Sequence, residues 1–429
     1  MDKRVRLLGG MESRMAAFHS ILSGSTQGIQ VITLSDNVNE QLFKESAMVL
    51  YKRYQALQCV INEIDGEFYF IQTCDIDDVG VEFTTINRSE EVDLYIREEV
   101  NTALDQDKSL WRIRLLKNKD NSTTLIMTVH HALIDGAGMF HLANDLLDIY
   151  QTKLSGNTNE KDLAMLGMHP AVDDFQRLKK ASTPKNNPAI DSIFPHSKTC
   201  SVSLRKTHWE CIELSDKDTE KFKLVCSENG LKPHSVIAAI LMRSAFKSGL
   251  TRSQATLSTA TSLRHLVPTD IDADTELGCY ISIASTCFDT ETRTINESAR
   301  LYDRELLMTM IKTSQFRAAT NQSEIVKQTR TLIDNNEFTG GVGITNLGEV
   351  GVKTNYKAFD VIDYLMLANR NSANFALVAH CMEFKSRLKI IFVYPEPSLL
   401  NEQVEAVKAK FSATLEKYIS SSDNLNQVA

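Results

Sequence analysis

The stretch Thr128 to Met139 reads TVHHALIDGAGM and sets two adjacent histidines, an aspartate and two glycines at the end of an apolar run. A neutral imidazole, with an ordinary pKa of about 6.5, suits removal of a proton from a hydroxyl or amine at neutral pH. On an extended backbone adjacent side chains point to opposite faces, so one of His130 and His131 can face a cavity while the other braces the turn. Asp135 begins that turn, and Gly136 and Gly138 permit tight geometry or close approach of a ligand. A buried histidine is more often an ordinary core residue, but that explains one histidine and not this set. The rival chemistry is a zinc-dependent hydrolase built on His130, His131, Asp135 and His141. Against it, neighbouring strand histidines diverge and no H-E-x-x-H spacing is present.

These residues need elements to position them. The runs WRIRLL and TTLIMTV, joined by the polar KNKDNS, predict a hairpin over Trp111 to His131 whose second strand delivers the chain into the histidines. Met139, Leu142, Ala143, Leu146, Ile149 and Tyr150 then share one face of a helix expected to stop near Gly156. Upstream, helical spacing over Asn37 to Leu57, with Ser35, Asp36 or Asn37 available as cap, precedes a hairpin turning at Asp65-Gly66. From Lys153 to Lys206 the periodicity weakens and Pro170, Pro184, Pro188 and Pro195 accumulate, which marks a connection. The expected division is a domain over 1–165 carrying HHALIDG, a linker over 166–205 and a second domain over 206–429. The second half predicts helices at Asp216 to Ser227, Ser235 to Lys247 and Ser398 to Tyr418. Its strands are expected at Thr256 to Leu263, Gly343 to Asn346, Phe375 to Phe384 and Leu388 to Val393. Mixed strand pairs and helices without regular βαβ alternation indicate an α+β fold. The tail SSSDNLNQVA is expected to fray.

A chain of 429 residues suggests two domains, and 42% hydrophobic with 24% charged residues is the composition of a folded globular protein. A net charge of -8 argues against a nucleic-acid partner, whose phosphates call for excess Lys and Arg. The eight cysteines lie singly, without a C-x-x-C pair, and read as reduced thiols of an intracellular protein. The N-terminus lacks the apolar core of a signal peptide, and no apolar run reaches the roughly 20 residues of a membrane span, so a cytoplasmic location is expected.

HHALIDG matches the HHxxxDG signature of the condensation-domain and acyl-CoA-dependent acyltransferase superfamily. The chain resembles the alcohol acetyltransferase-like and mycobacterial polyketide-associated acyltransferase branch at RVRLLGGMES, at NVNEQLFKESAMVLYKRYQALQCVI and across Trp111 to Tyr150. It does so again at TSLRHLVP, LGCYIS, ITNLGEV and IIFVYPEP. The resemblance implies two chloramphenicol-acetyltransferase-like domains with an active-site tunnel at their interface. It also implies that His131 faces the tunnel, that His130 braces it, and that Asp135, followed by Gly136, is structural and pairs with Arg264. The implied reaction moves an acyl group from acyl-CoA or a phosphopantetheinyl carrier protein to a hydroxyl or amine. His131 is then the general base, with no bound cofactor and a monomer expected.

No G-x-S-x-G elbow offers a serine nucleophile, in keeping with direct transfer. Asn346 is a candidate for orienting the acceptor, or else it satisfies strand-end backbone. Gly340, Gly341 and Gly343 precede a strand, not a helix, and so read as relief of crowding and not as a phosphate loop. Arg177, Lys179, Lys180 and Lys185 are candidates for contacting donor phosphates, or else form a solvated linker. The alternative to an enzyme is a catalytically silent docking module that retains the motif.

Overall fold

The computed structural model describes residues 3–88, 90–156, 164–175, 179–180, 194–272, 275–317 and 321–420. Arg177 and Lys185, much of the expected linker and all of the tail from 421 lie outside the described residues, as do the side chains of Lys179 and Lys180.

The TTLIMTV run becomes the strand Thr123–Val129, buried at every position. Continuous burial of an apolar, β-branched run marks a strand covered on both faces. It lies at the centre of a five-stranded sheet in the order Val361–Ala368, Gly28–Leu34, Thr123–Val129, Trp111–Lys117, Val81–Thr85. Its neighbours pair antiparallel, with Val129 beside both Gly28 and Trp111, so three strands end level where the motif begins. The helices Glu40–Arg53 and Gly136–Leu154 pack against each other. The first is capped by Asn39, whose side chain accepts from the Leu42 N–H at 3.1 Å, in place of the expected Ser35, Asp36 or Asn37. Asp65 and Gly66 both adopt positive φ, 54° and 82°, as the expected two-residue turn between Val60–Ile64 and Glu67–Ile71 requires.

A second, six-stranded sheet runs in the order Lys206–Glu213, Arg387–Glu396, Phe375–Phe384, Gly341–Glu349, Gln254–Ser262, Ile281–Asp289. The helices Asp216–Glu228, Pro233–Lys247, Ile295–Gln315 and Asn401–Ser420 join it around a second core that includes Phe222, Ile240, Phe392 and Phe411. Helices beside largely antiparallel sheets make the fold α+β. No helix among the described residues is long and apolar enough to cross a membrane.

Two elements that follow the expected division at 206 associate with the first half: the helix Gln322–Thr331, whose Gln322 side chain accepts from the Phe68 N–H at 2.6 Å and donates to the Leu8 carbonyl at 2.9 Å, and the strand Val361–Ala368. Val361–Ala368 leaves the second half and pairs along the whole of Gly28–Leu34, from Val361 beside Leu34 to Ala368 beside Gly28. The first core accordingly takes in Tyr364, Met366, Met382, Phe384, Ile391 and Val393 from the later chain. A polar link fixes this crossover strand: the buried Tyr364 hydroxyl donates to Gln30 Oε1 at 3.1 Å, and Gln30 Nε2 donates to the Met139 carbonyl at 3.1 Å. Removing one partner of a buried hydrogen bond leaves the other unsatisfied at a cost of about 1–3 kcal/mol. Tyr364→Phe is therefore expected to lower stability in chemical denaturation by that amount, and an unchanged midpoint would show that the crossover contributes nothing through this link.

Candidate functional site

The chain leaves the first sheet where the His130 N–H donates to the Leu110 carbonyl at 2.8 Å, and the two histidine side chains then part. His130 is fully buried, its ring 4.4 Å from that of His19, and its Nδ1 accepts from the Ala132 N–H at 3.1 Å. Burial first, then the neighbouring His19 and His131, hold its pKa well below the ordinary value. A side chain so enclosed is neutral and positions the turn. His19 is likewise pushed down, to about 4, chiefly by burial.

His131 is half-buried and lines a cavity of about 290 Å³. Its Nδ1 is buried without a hydrogen-bond partner. Burial lowers the pKa of this ring, and Arg370 adds to the effect, while Asp135 and the backbone of His131 and Ile134 oppose it. The ring is therefore a neutral imidazole on a cavity wall.

Asp135 points elsewhere. It caps the helix Gly136–Leu154, accepting from the Gly138 N–H at 3.0 Å. It also receives Arg264 through Nε at 3.1 and 3.0 Å and through Nη2 at 2.6 Å, and the Tyr280 N–H at 3.3 Å. The guanidinium donates as well to the Glu276 carbonyl at 3.0 Å. Both side chains are almost wholly buried, at 9% and 4% exposure, so the pair must satisfy itself internally. A negative group at a helix N-terminus is further favoured by the helix dipole. The glycines admit this packing: a Cβ on Gly136 would lie 2.6 Å from Leu347 Cδ2, and one on Gly138 would lie 2.7 Å from Ile134 Cγ1 and 3.1 Å from Arg264 Nη2.

Both halves of the chain line the cavity: Gly28, Val129, His131 and Phe140 from the first, and Ser258, Ile281, Asn346, Met366, Arg370 and His380 from the second. Asn346 is exposed, and its Oδ1 accepts from the Gly348 N–H at 3.0 Å, so one end of its amide serves the strand-end backbone while the residue still borders the cavity. Gly340 and Gly343 abut Phe375 and Val378 at the entry to Gly341–Glu349, where a Cβ would crowd the neighbouring strand. His141 takes no part, being held by the Tyr54 hydroxyl at 2.8 Å and near Asp145. Among the described residues no three His, Cys, Asp or Glu side chains are grouped to hold a metal. No motif in the sequence marks Arg370 and His380, 3.1 Å apart, because ANRNSANF reads as a loop and His380 as one more residue of an apolar strand.

Breaking a buried ion pair from one side costs about 3–5 kcal/mol. Arg264→Ala is expected to lose that much stability in equilibrium denaturation, while Asp135→Asn, which keeps the cap, should lose less than Asp135→Ala. A melting temperature unmoved by Arg264→Ala would rule out the pair as a structural support.

Residues 13–166 match the family model of the Condensation domain. Over 138 residues the chain is 27% identical to Bacitracin synthase 3 of Bacillus licheniformis, a match covering 30% of this chain and 2% of that protein. Over 133 residues it is 26% identical to Polyketide synthase PksN of Bacillus subtilis (strain 168), covering 28% of this chain and 2% of that one. The chain thus spans a small fraction of the length of the curated relatives it matches. Polyketide synthase associated protein 5 from Mycobacterium tuberculosis superposes with a TM-score of 0.71 at 13% identity, covering 97% of this chain and 100% of that one. TRI3 trichothecene 15-O-acetyltransferase from Fusarium sporotrichioides gives 0.71 at 10% identity, covering 96% and 95%. The first condensation domain of the CDA synthetase gives 0.71 at 11% identity, covering 97% and 96%. The chain therefore carries a Condensation-domain match over residues 13–166 and shares the fold of the CDA synthetase condensation domain and of the TRI3 acetyltransferase over nearly its whole length.

Proposed function

We propose that this protein is an acyltransferase that moves an acyl group from a thioester, either acyl-CoA or a phosphopantetheinyl carrier protein, to a hydroxyl or amine, with His131 as general base. The observation that carries this reading is the division of labour within the motif: Asp135 is consumed by Arg264, while His131 alone of the three polar motif residues is both half-exposed and on the cavity wall. With Nδ1 buried, Nε2 is the nitrogen that meets the acceptor.

In the proposed step the acceptor oxygen or nitrogen attacks the thioester carbonyl as Nε2 takes its proton. The tetrahedral intermediate then collapses, the carbon–sulfur bond breaks, and the departing sulfur recovers that proton from His131 as the free thiol. The ester or amide product and a neutral imidazole remain, without a covalent enzyme intermediate. The cavity between the two halves is the meeting place of donor and acceptor, whose positioning supplies much of the rate. His130 braces the turn, Asp135, Gly136 and Arg264 hold it to the second half, and the free end of the Asn346 amide orients the acceptor.

General-base assistance is worth about 10²–10⁴-fold. Purified protein given acyl-CoA donors with a panel of alcohols and amines is expected to release free thiol, and His131→Ala to lower that rate by this factor while melting normally. A folded variant of full activity would remove His131 from the role.

The pH profile carries an independent sign. A base works only when deprotonated, and burial and Arg370 shift His131 downward. Activity is expected to persist as pH falls through about 6.5 and to decline only below it. An acid limb of kcat/KM lying above that value would mean a different group titrates.

A further inference from the structure

Three arginines of the interior can be compared directly: Arg205 and Arg264 are buried, and Arg370 is half-buried with its Nε enclosed. Arg264 is neutralised by Asp135. Arg205 has no carboxylate partner among the described residues, and its Nε is unpartnered too, but its two terminal nitrogens are taken up by the carbonyls of Ser372, Cys200 and Asn335 at 3.0, 3.3 and 3.2 Å. Arg370 has neither arrangement. Among the described residues its guanidinium makes one bond, from Nη2 to His380 Nε2 at 3.1 Å, and its Nε is buried with no partner. Among the described residues no carboxylate lies within 4.0 Å of it, yet it borders the cavity together with His131 and His380.

The neighbours cannot supply the missing charge. His380, only 4% exposed on the strand Phe375–Phe384, accepts from Arg370 and so must be neutral, and burial, Arg370 and His131 all favour that state. The cluster therefore presents one positive charge beside two neutral rings. A charge desolvated without a counterion is costly, and the cost is recovered when an anion arrives with matching hydrogen bonds. The planar guanidinium fits a carboxylate through two parallel bonds. Elsewhere the cavity wall is mostly apolar, with Met15, Ile134, Phe140, Ile283, Leu347 and Met366 lining it.

We propose that Arg370, set against His380, is an anion subsite that binds a carboxylate carried by an otherwise aliphatic ligand. The subsite rests on the cavity being the substrate site proposed above, but not on His131 acting as the base. The carboxylate belongs either to the acceptor or to the acyl group of the donor, and the two sources are separable by kinetics.

Calorimetric titration of the full chain with octanoate and with octanamide tests the subsite without turnover. The wild type is expected to bind octanoate at least about tenfold more tightly than the amide of the same shape. Arg370→Gln should abolish that preference while leaving octanamide affinity unchanged, and Arg370→Lys should retain part of it. Equal affinities in the wild type, no octanoate binding up to about 10 mM, or a preference that survives Arg370→Gln would each overturn the proposal, and the first two need no variant to fold. Turnover then assigns the source. An acceptor role predicts a raised KM for 8-hydroxyoctanoate but not for 1-octanol in Arg370→Gln, and a donor role predicts a raised KM for succinyl-CoA but not for acetyl-CoA. Absence of turnover with every donor would count against the acyltransferase reading and leave the calorimetric result standing, whereas a calorimetric failure beside active enzyme would sink the subsite alone.

Discussion

Asp135 joins the two halves of the molecule beside the cavity that both of them line. Its carboxylate terminates a helix through Gly138, receives a bidentate guanidinium 129 residues away in sequence, and accepts the Tyr280 N–H. Both oxygens are engaged, Oδ1 by Gly138 and Arg264 and Oδ2 by Arg264 and Tyr280, so the carboxylate is saturated. A saturated and neutralised aspartate is a rigid strut and a poor base. The turn that carries His131, four residues earlier, is clamped between a sheet end and this buried ion pair.

The strut makes steric demands on its surroundings. Gly136 lies against Leu347 and Gly138 against Ile134 and Arg264, at distances that exclude a side chain. The two glycines of the motif thus serve close approach and not positive φ, since neither adopts the left-handed region. The Arg264 guanidinium also stands 5.4 Å from the Tyr280 ring, an arrangement in which cation and aromatic face attract. The crossover strand Val361–Ala368 makes a second connection between the halves, through the backbone ladder and the Gln30–Tyr364 link, and its end leads to Arg370. Asp135 of the ion pair and Met366, Leu367 and Ala368 of the strand all border the cavity.

Burial then sorts the titratable groups. Desolvation leads the causes that push His19, His130, His131 and His380 towards neutrality, and at His131 it outweighs the opposing pull of Asp135. Arg370 remains charged, its pKa lowered only to about 10. The interior of the site is therefore neutral imidazole beside a fixed positive charge, an environment suited to proton acceptance and to anionic ligands.

Much of this was legible in the residues themselves. The alternation and turn chemistry around Asp65-Gly66, the apolar run ending at Val129 and the helical face from Met139 to Tyr150 are local signals, and local hydrogen bonding and side-chain periodicity decide them. The cluster HHALIDG marks itself as a candidate site because it gathers two imidazoles, a carboxylate and a glycine at the end of an apolar strand. The tertiary structure alone decided what lies across from that cluster. VIDYLMLA does not advertise that it completes the other sheet, since strand pairing over more than 300 residues is chosen by the surface already formed and not by the segment. Arg370 and His380 carry no motif either, and a charge becomes informative only when folding removes the water and the counterions around it.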